Sequence, residues 1–238
     1  MAGHSKWKQI KHKKGANDMQ RGKMLTKHGK ILQVVGRDNP NPDTNASLRA
    51  AIVNAKSDGV PRDNIERVLK KLSGQGSEVT TFTENVYEGY GPGAVPIIVT
   101  SLTDNTNRAY TDIRTAFNKN GGNLGSSGSV AFMFDHVGLI QFKKQNNTED
   151  DLFEFVAAAG ADDFEVVDEI VIVSTSFEAL GKVRHRLEEQ GIDIEKSEPL
   201  YQAKDPMTLD EAAQTKLDNF LAVLDEVDDI DEVFTGAA

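Results

Sequence analysis

The sequence predicts an α+β protein with three domains, an N-terminal three-helix domain followed by two α+β sandwich domains. One observation is a change of period: apolar residues recur every three to four positions before Gly74, whereas strand-like runs follow it. Another is the element order β-α-β-β-α-β over residues 136–205, which is that of a ferredoxin-like sandwich. The predicted domains are residues 1–76, residues 77–135 together with 206–238, and the ferredoxin-like residues 136–205, which are inserted into the middle domain.

Three short amphipathic helices are predicted in the N-terminal domain. The first begins near Asn17 and ends before the Asn-Pro cluster at residues 39–42. The second spans about residues 46–56, and the third follows Pro61 and ends near Gly74. The inward face of the first helix is predicted to contain Met24, His28, Ile31, Leu32 and Val35.

The middle domain is predicted from two separate stretches of the chain. The first stretch supplies strands at residues 84–87, 95–102 and 130–134 and a helix at residues 108–120. Two further elements are needed to complete a sandwich. They are a helix opened by a capping box at Thr208 to Glu211 and a closing strand from Ile230 to Phe234.

The inserted domain has clear boundaries between its elements. Its helices are predicted behind a capping box at Thr148 and behind Ser176, and they end at Gly160 and Gly191. Its strands are predicted at residues 139–142, 165–167, 170–174 and 192–194, with the last resuming at 200–201 after Pro199.

Charge is divided unevenly along the chain, although the total is only −10. Met1 to Lys71 contains 16 Lys and Arg against 6 Asp and Glu, whereas Leu72 to Ala238 contains 11 against 31. Such a division indicates a basic module for a polyanion on an acidic body. The sequence therefore favours nucleic acid as the partner.

The densest positive charge lies in the lysine-rich arm, Met1 to Ala16, and in the first predicted helix. The arm has few core residues and is predicted to be flexible. Trp7, the only tryptophan, either stacks on an exposed base or packs the arm onto the helices. The predicted nucleic-acid-binding residues are Lys6, Trp7, Lys8, Lys11, His12, Lys13, Lys14, Arg21, Lys23, Lys27 and Lys30.

Two glycine-rich segments resemble nucleotide-binding motifs but lack the required context. Gly89 to Ala94 fits the dinucleotide pattern, yet a strand rather than a helix follows it. Gly121 to Ser129 lacks the Gly-Lys-Ser/Thr ending of a phosphate-binding loop and is interpreted as a connecting loop. The alternative is a partner-contact loop formed by Gly121, Gly122, Asn123, Gly125 and Ser126. The motif Thr103 to Arg108 is interpreted as a helix cap.

No catalytic or metal site is predicted. The chain has no cysteine, and the spacings of His4, His12 and His28 do not match a metal-ligand set. We expect no enzymatic activity, cofactor or small-molecule substrate. We also expect a cytoplasmic protein without membrane association, because no apolar run approaches the length of a membrane helix. We expect it to be a monomer.

Several long motifs resemble those of the YebC/PmpR family over essentially the whole chain. They include MAGHSKW at the N-terminus, RGK from Arg21, PRDNIER from Pro61, YEGYGPG from Tyr87, LTDN from Leu102 and GGNLG from Gly121. The resemblance implies a helical domain followed by two α+β domains. His28-Gly29, where an apolar residue is more usual, and Pro96 within a strand depart from the family pattern.

The resemblance implies a role in gene expression. Members of the family are described as DNA-binding transcriptional regulators, and others as ribosome-associated factors that relieve stalls at proline-rich sequences. Promoter DNA and ribosomal RNA therefore both stay open as partners, and lysines that act as point charges favour structured RNA. The alternative is a protein-interaction module that does not bind nucleic acid directly.

Overall fold

The structure, a computed structural model, describes residues 18–74 and 80–238, with side chains from Gly22 onward. The described residues form two compact units. One contains residues 18–74 together with His136–Leu200, and the other contains Thr80–Asp135 together with Tyr201–Ala238. The α+β class and the insertion into the middle domain are confirmed, because the second unit is assembled from two distant stretches of chain.

Three helices form the N-terminal domain, close to the predicted bounds. They are α1 (Asp18–Gly36), α2 (Ala46–Ser57) and α3 (Arg62–Leu72). The side chain of Asn45 caps α2 by accepting a hydrogen bond from the backbone N–H of Leu48. The helices share a core of Leu32, Leu48, Ala51, Ala55, Val60 and Ile65.

The inserted domain has the ferredoxin-like order of elements. These are β4 (Phe134–Lys143), α5 (Glu149–Ala159), β5 (Asp163–Val167), β6 (Ile170–Ser176), α6 (Leu180–Glu189) and β7 (Ile194–Ala203). The sheet order is β5-β6-β4-β7, so β7 is an edge strand. Thr148 and Asp151 form the predicted capping box of α5. The β7 strand runs unbroken through Pro199, which an edge strand tolerates because one side of its backbone is unpaired.

The middle domain consists of a four-stranded sheet and two helices. Its elements are β1 (Thr83–Tyr90), β2 (Pro96–Thr103), α4 (Thr106–Lys119), β3 (Asn123–Leu124), α7 (Glu211–Asp225) and β8 (Ile230–Thr235). The sheet order is β3-β1-β2-β8. The two helices pack on one face of the sheet, where the rings of Phe117 and Phe220 meet edge to face at 5.1 Å.

Two local predictions were wrong. Residues 130–134 do not form one strand: Ala131–Met133 is a 3₁₀ turn, and Phe134 begins β4. The N–H groups of Val130 and Ala131 bond the carboxylate of Glu88, so they do not join a strand ladder.

The second error concerns the capping box predicted at Thr208. The residue that caps α7 is Asp210, which accepts a hydrogen bond from the N–H of Ala213. The chain just before it is still extended, because Met207 pairs with Ala237 near the end of the chain. Thr208 therefore lies outside the helix.

Candidate nucleic-acid interface

Helix α1 carries a stripe of three lysines. Lys23, Lys27 and Lys30 are spaced four and three residues apart, which places them on one face of the helix. All three are partly exposed. Leu25 and Leu32 lie on the opposite side of α1 and pack into the core of the helical domain. The fold therefore directs the predicted lysines away from the core.

The basic residues of α3 lie among acidic ones. Arg62, Arg67 and Lys70 are exposed, but the guanidinium of Arg62 lies 2.6 Å from the carboxylate of Glu66. Asp63 adds a second negative charge to this helix. Between residues 19 and 36, by contrast, the sequence contains no acidic residue. Helix α1 therefore has fewer acidic residues among its basic ones than α3 has.

Charge is distributed unevenly between the helical domain and the rest of the described chain. Residues 18–74 contain 11 Lys and Arg against 6 Asp and Glu, whereas residues 80–238 contain 11 against 30. The structure thus separates a basic helical domain from two acidic domains. Residues 18–74 therefore have a net positive charge, and residues 80–238 have a net negative one.

The remaining predicted contact residues lie outside the described part of the chain. For Arg21 the described range includes the backbone but not the side chain. The interface predicted for them stays a prediction. The residues concerned are Lys6, Trp7, Lys8, Lys11, His12, Lys13 and Lys14.

The two glycine-rich segments meet at one end of the middle-domain sheet. A Cβ added at Gly122 would lie 2.9 Å from the carbonyl oxygen of Tyr90, and one added at Gly89 would lie 2.6 Å from that of Asn123. Both glycines are therefore required by close backbone packing. This finding gives a structural reason for the motifs and does not support a dinucleotide site.

The exposed tip of this loop is held by a buried glutamate. The carboxylate of Glu88 accepts hydrogen bonds from the N–H groups of Gly128, Val130 and Ala131 at 2.7, 2.8 and 2.7 Å. Burial alone would raise the pKa of Glu88, but the three hydrogen bonds lower it below its usual value. The backbone N–H of Gly125 also bonds the carbonyl of Glu88. The candidate partner-contact loop therefore has a defined conformation.

The motif at Thr103 to Arg108 has the structural role that the sequence predicted. Asn105 caps α4 by accepting a hydrogen bond from the N–H of Arg108. The guanidinium of Arg108 bonds the buried carboxylate of Asp229 at 2.8 and 2.9 Å. These hydrogen bonds raise the pKa of Arg108, which stays charged throughout the physiological range. The prediction of a helix cap is confirmed.

Within residues 18–74 and 80–238, no three His, Asp or Glu side chains are arranged to hold a metal ion. His28 instead bonds Asp58 at 2.9 Å. No described helix is long and apolar enough to cross a membrane.

Two family models together match nearly the whole chain. Residues 5–75 match the TACO1/YebC protein N-terminal domain. Residues 82–237 match the TACO1/YebC second and third domain. The chain belongs to the TACO1/YebC family.

Relatives of TACO1/YebC type match the chain from end to end. It is 43% identical to a "probable transcriptional regulatory protein" of Clostridium beijerinckii over 100% of this chain and 97% of the relative. It is 42% identical to a protein of the same name from Corynebacterium kroppenstedtii, over 99% and 94% of the two chains.

A solved structure of another protein has a fold similar to that of this chain. The crystal structure of a conserved hypothetical protein from Aquifex aeolicus is 38% identical and has a TM-score of 0.81. The similarity covers 98% of this chain and 97% of that one. The two TACO1/YebC sandwich domains and the helical domain therefore share an experimentally observed architecture.

Two polar groups of this TACO1/YebC chain have partners that were not predictable from local sequence. Glu88 occupies a buried position of β1 within YEGYGPG, and a charged residue in that position was a usable signal. His28 is 4% exposed, as its predicted place on the inward face of the first helix implies, but its pairing with Asp58 was not predicted. Both residues act through partners that are distant in sequence.

Proposed function

We propose that this chain is a non-enzymatic regulator of gene expression that binds nucleic acid through its helical domain. The observation that supports the proposal most directly is the lysine stripe of α1, formed by Lys23, Lys27 and Lys30 on the one basic domain of an otherwise acidic chain. Lysine ammonium groups bind phosphates as point charges. The lysine-rich arm before α1 extends the same positive charge. The names of the two bacterial relatives agree with a regulatory role.

Structured RNA, such as the ribosome, is the favoured nucleic acid. Sequence-specific reading of duplex DNA requires several side chains that pair with base edges, commonly Arg, Asn or Gln. The partly exposed stripe of α1 offers lysines, which act on phosphates as point charges. The names of the relatives point toward transcription, so promoter DNA is the competing partner. We expect the regulator to work in the cytoplasm as a monomer.

Competition at physiological salt tests this choice. Labelled chain is offered purified ribosomes, a candidate promoter fragment and random duplex DNA of equal length. We expect ribosomes to compete best and the two duplexes to compete weakly and equally. A promoter preferred about a thousandfold over random duplex, which is a typical specificity ratio, would contradict the RNA proposal and favour transcriptional control.

A second candidate function is a protein-interaction module. The observation in its favour is the exposed loop at residues 125–128, which Glu88 fixes in one conformation. Phe132, 66% exposed, lies four positions after the end of this loop. Nucleic-acid binding that is weak and insensitive to salt would favour this second function over the first.

A further inference from the structure

The helical domain contacts the inserted domain through the side chain of Asn54. Its Nδ2 donates to the carbonyl oxygen of Ser197 at 2.6 Å, and its Oδ1 accepts from the N–H of the same residue at 2.9 Å. Ser197 lies on the edge strand β7. The carboxamide thus satisfies both backbone groups of one residue, as a neighbouring strand would.

The same edge is unsuitable for pairing with another strand. Backbone groups of alternate residues point to the same side of a strand, so Ser197 and Pro199 face the same way. Pro199 has no N–H to donate. A strand added here would find one donor missing, whereas a single side-chain amide opposite Ser197 needs no further ladder. The edge therefore fits Asn54 better than a second sheet.

A second set of contacts lies beside the first and includes α1. The carboxylate of Asp58 lies 2.9 Å from Nε2 of His28 and 3.4 Å from Nζ of Lys196. Lys196 also lies 3.2 Å from the carboxylate of Glu198. His28 is almost fully buried, between Lys27 and Lys30 in sequence. The carboxylate therefore links the lysine-bearing helix to β7.

The charges in this cluster favour an ionised Asp58. Burial alone would raise the pKa of Asp58, but the hydrogen bond from His28 and the positive charge of Lys196 lower it below its usual value. Removing one member would leave a buried partner unsatisfied, which is more unfavourable than never having formed the pair. The cluster thus depends on both domains being in place.

We propose that Asn54 and Asp58 form an interdomain latch with Ser197 and Lys196, which holds the helical domain against the inserted domain and fixes the direction of the α1 lysine stripe. Asn54 is then a positioning residue. The part of the inference that concerns nucleic acid rests on the proposed function, whereas the docking of the two domains does not.

Distance measurement between spin labels tests the docking. The chain contains no cysteine, so Ala46→Cys and Glu154→Cys, both at exposed positions, give one label on each domain. We expect one narrow distance distribution in the parent chain. Asn54→Asp removes the donor and places a carboxylate oxygen against the Ser197 carbonyl, so we expect a broad distribution. Ser47→Asp, an exposed change on the same helix, is the charge-matched control and should stay narrow.

Asn54→Ala provides a second variant, since it removes both hydrogen bonds without adding charge. A narrow distribution in both Asn54 variants, with circular dichroism showing intact folds, would overturn the latch. Affinity for ribosomes is measured on the same samples, and we expect a fall of about tenfold, or ~1.4 kcal/mol, in the Asn54 variants. Unchanged affinity with broadened distances would overturn the positioning role. A parent chain that binds no nucleic acid would contradict the proposed function, while the distances would still decide the docking.

Discussion

Arg108 and Asp229 are 121 positions apart in the sequence and form a two-point ion pair at 2.8 and 2.9 Å. Arg108 lies in the first turn of α4, and Asp229 directly precedes β8. The whole inserted domain lies between them in sequence. The pair therefore joins the two stretches of chain from which the middle domain is built, at a site where the Asp229 side chain is only 5% exposed.

Asp229→Ala should destabilise the middle domain. The substitution leaves the guanidinium of Arg108 without its buried partner and removes two charge-assisted hydrogen bonds. We expect a lower free energy of unfolding and a lower denaturant midpoint, measured by chemical unfolding. Asp112→Ala, an exposed change on α4, provides the control. An equal loss in both variants would show that the effect is not specific to the ion pair.

Glu88→Gln should loosen the glycine-rich loop in a pH-dependent manner. The glutamine amide cannot accept all three hydrogen bonds, so we expect faster hydrogen exchange at Gly128, Val130 and Ala131 and a loss of ~1–3 kcal/mol near neutral pH. The folded pKa of Glu88 lies below its ordinary value of 4.5. The contribution of the Glu88 carboxylate to the free energy of unfolding is therefore complete above pH 4.5, and it disappears as the pH falls through the folded pKa.

The difference in the free energy of unfolding between the parent chain and the Glu88→Gln variant should accordingly shrink as the solution is acidified. Measuring both proteins along the same pH series removes the contributions of other carboxylates, including Asp58. A difference that stays constant down to about pH 3, or exchange at the three amides that does not change, would contradict the role assigned to Glu88.

Gly29→Ala and Gly36→Ala should have opposite effects although both residues lie in α1. A Cβ at Gly29 meets no described atom within 4 Å, so alanine should stabilise the helix by ~0.5–1 kcal/mol. A Cβ at Gly36 would lie 2.6 Å from a methyl carbon of Leu72 and 3.3 Å from one of Leu48, so alanine should destabilise the domain. Thermal unfolding of both variants checks the signs, and a stabilising Gly36→Ala would show that the core adjusts freely.

The lysines should contribute to nucleic-acid binding through counterion release. Replacing Lys23, Lys27 and Lys30 with Gln should flatten the dependence of log affinity on log salt by up to ~0.7–0.9 unit for each phosphate that is no longer neutralised. The five arm lysines form a separate variant with the same expectation. The control replaces the exposed Lys119, Lys182 and Lys216 of the acidic domains with Gln. An unchanged slope in the α1 variant and in the arm variant would show that these lysines do not neutralise phosphates.

Local sequence signals predicted most of the fold. Helical spacing located α1 to α3, and polar caps located α4 and α5 through Asn105 and Thr148. Contacts between distant residues could not be predicted in this way. Asn54 and Ser197, for example, are 143 positions apart, and no local pattern in either segment indicates that they pair. The lysine stripe was predictable because it depends on helix periodicity alone, whereas the loop anchor at Glu88 depends on N–H groups about 40 residues away.

The inserted domain should fold when excised as residues 136–204. It contains all six elements, and its core is made by its own residues Ile140, Phe142, Leu152, Val156, Val171, Val173, Val183 and Leu187. The proposed boundary at residue 135 separates this core from Phe134, which packs in the middle domain. The fragment lacks the hydrogen bonds between Asn54 and Ser197, so it should be less stable than the same domain in the full chain.

Chemical unfolding followed by circular dichroism should therefore show one cooperative transition at a reduced midpoint. Leu152→Ala serves as the control for a native core, because truncating this fully buried side chain should lower the free energy of unfolding by ~2–5 kcal/mol in the fragment as in the whole chain. With 7 Lys and Arg against 15 Asp and Glu, the fragment should not bind nucleic acid. A disordered fragment would place the domain boundary elsewhere, and a folded fragment that binds ribosomes would move the interface away from the helical domain.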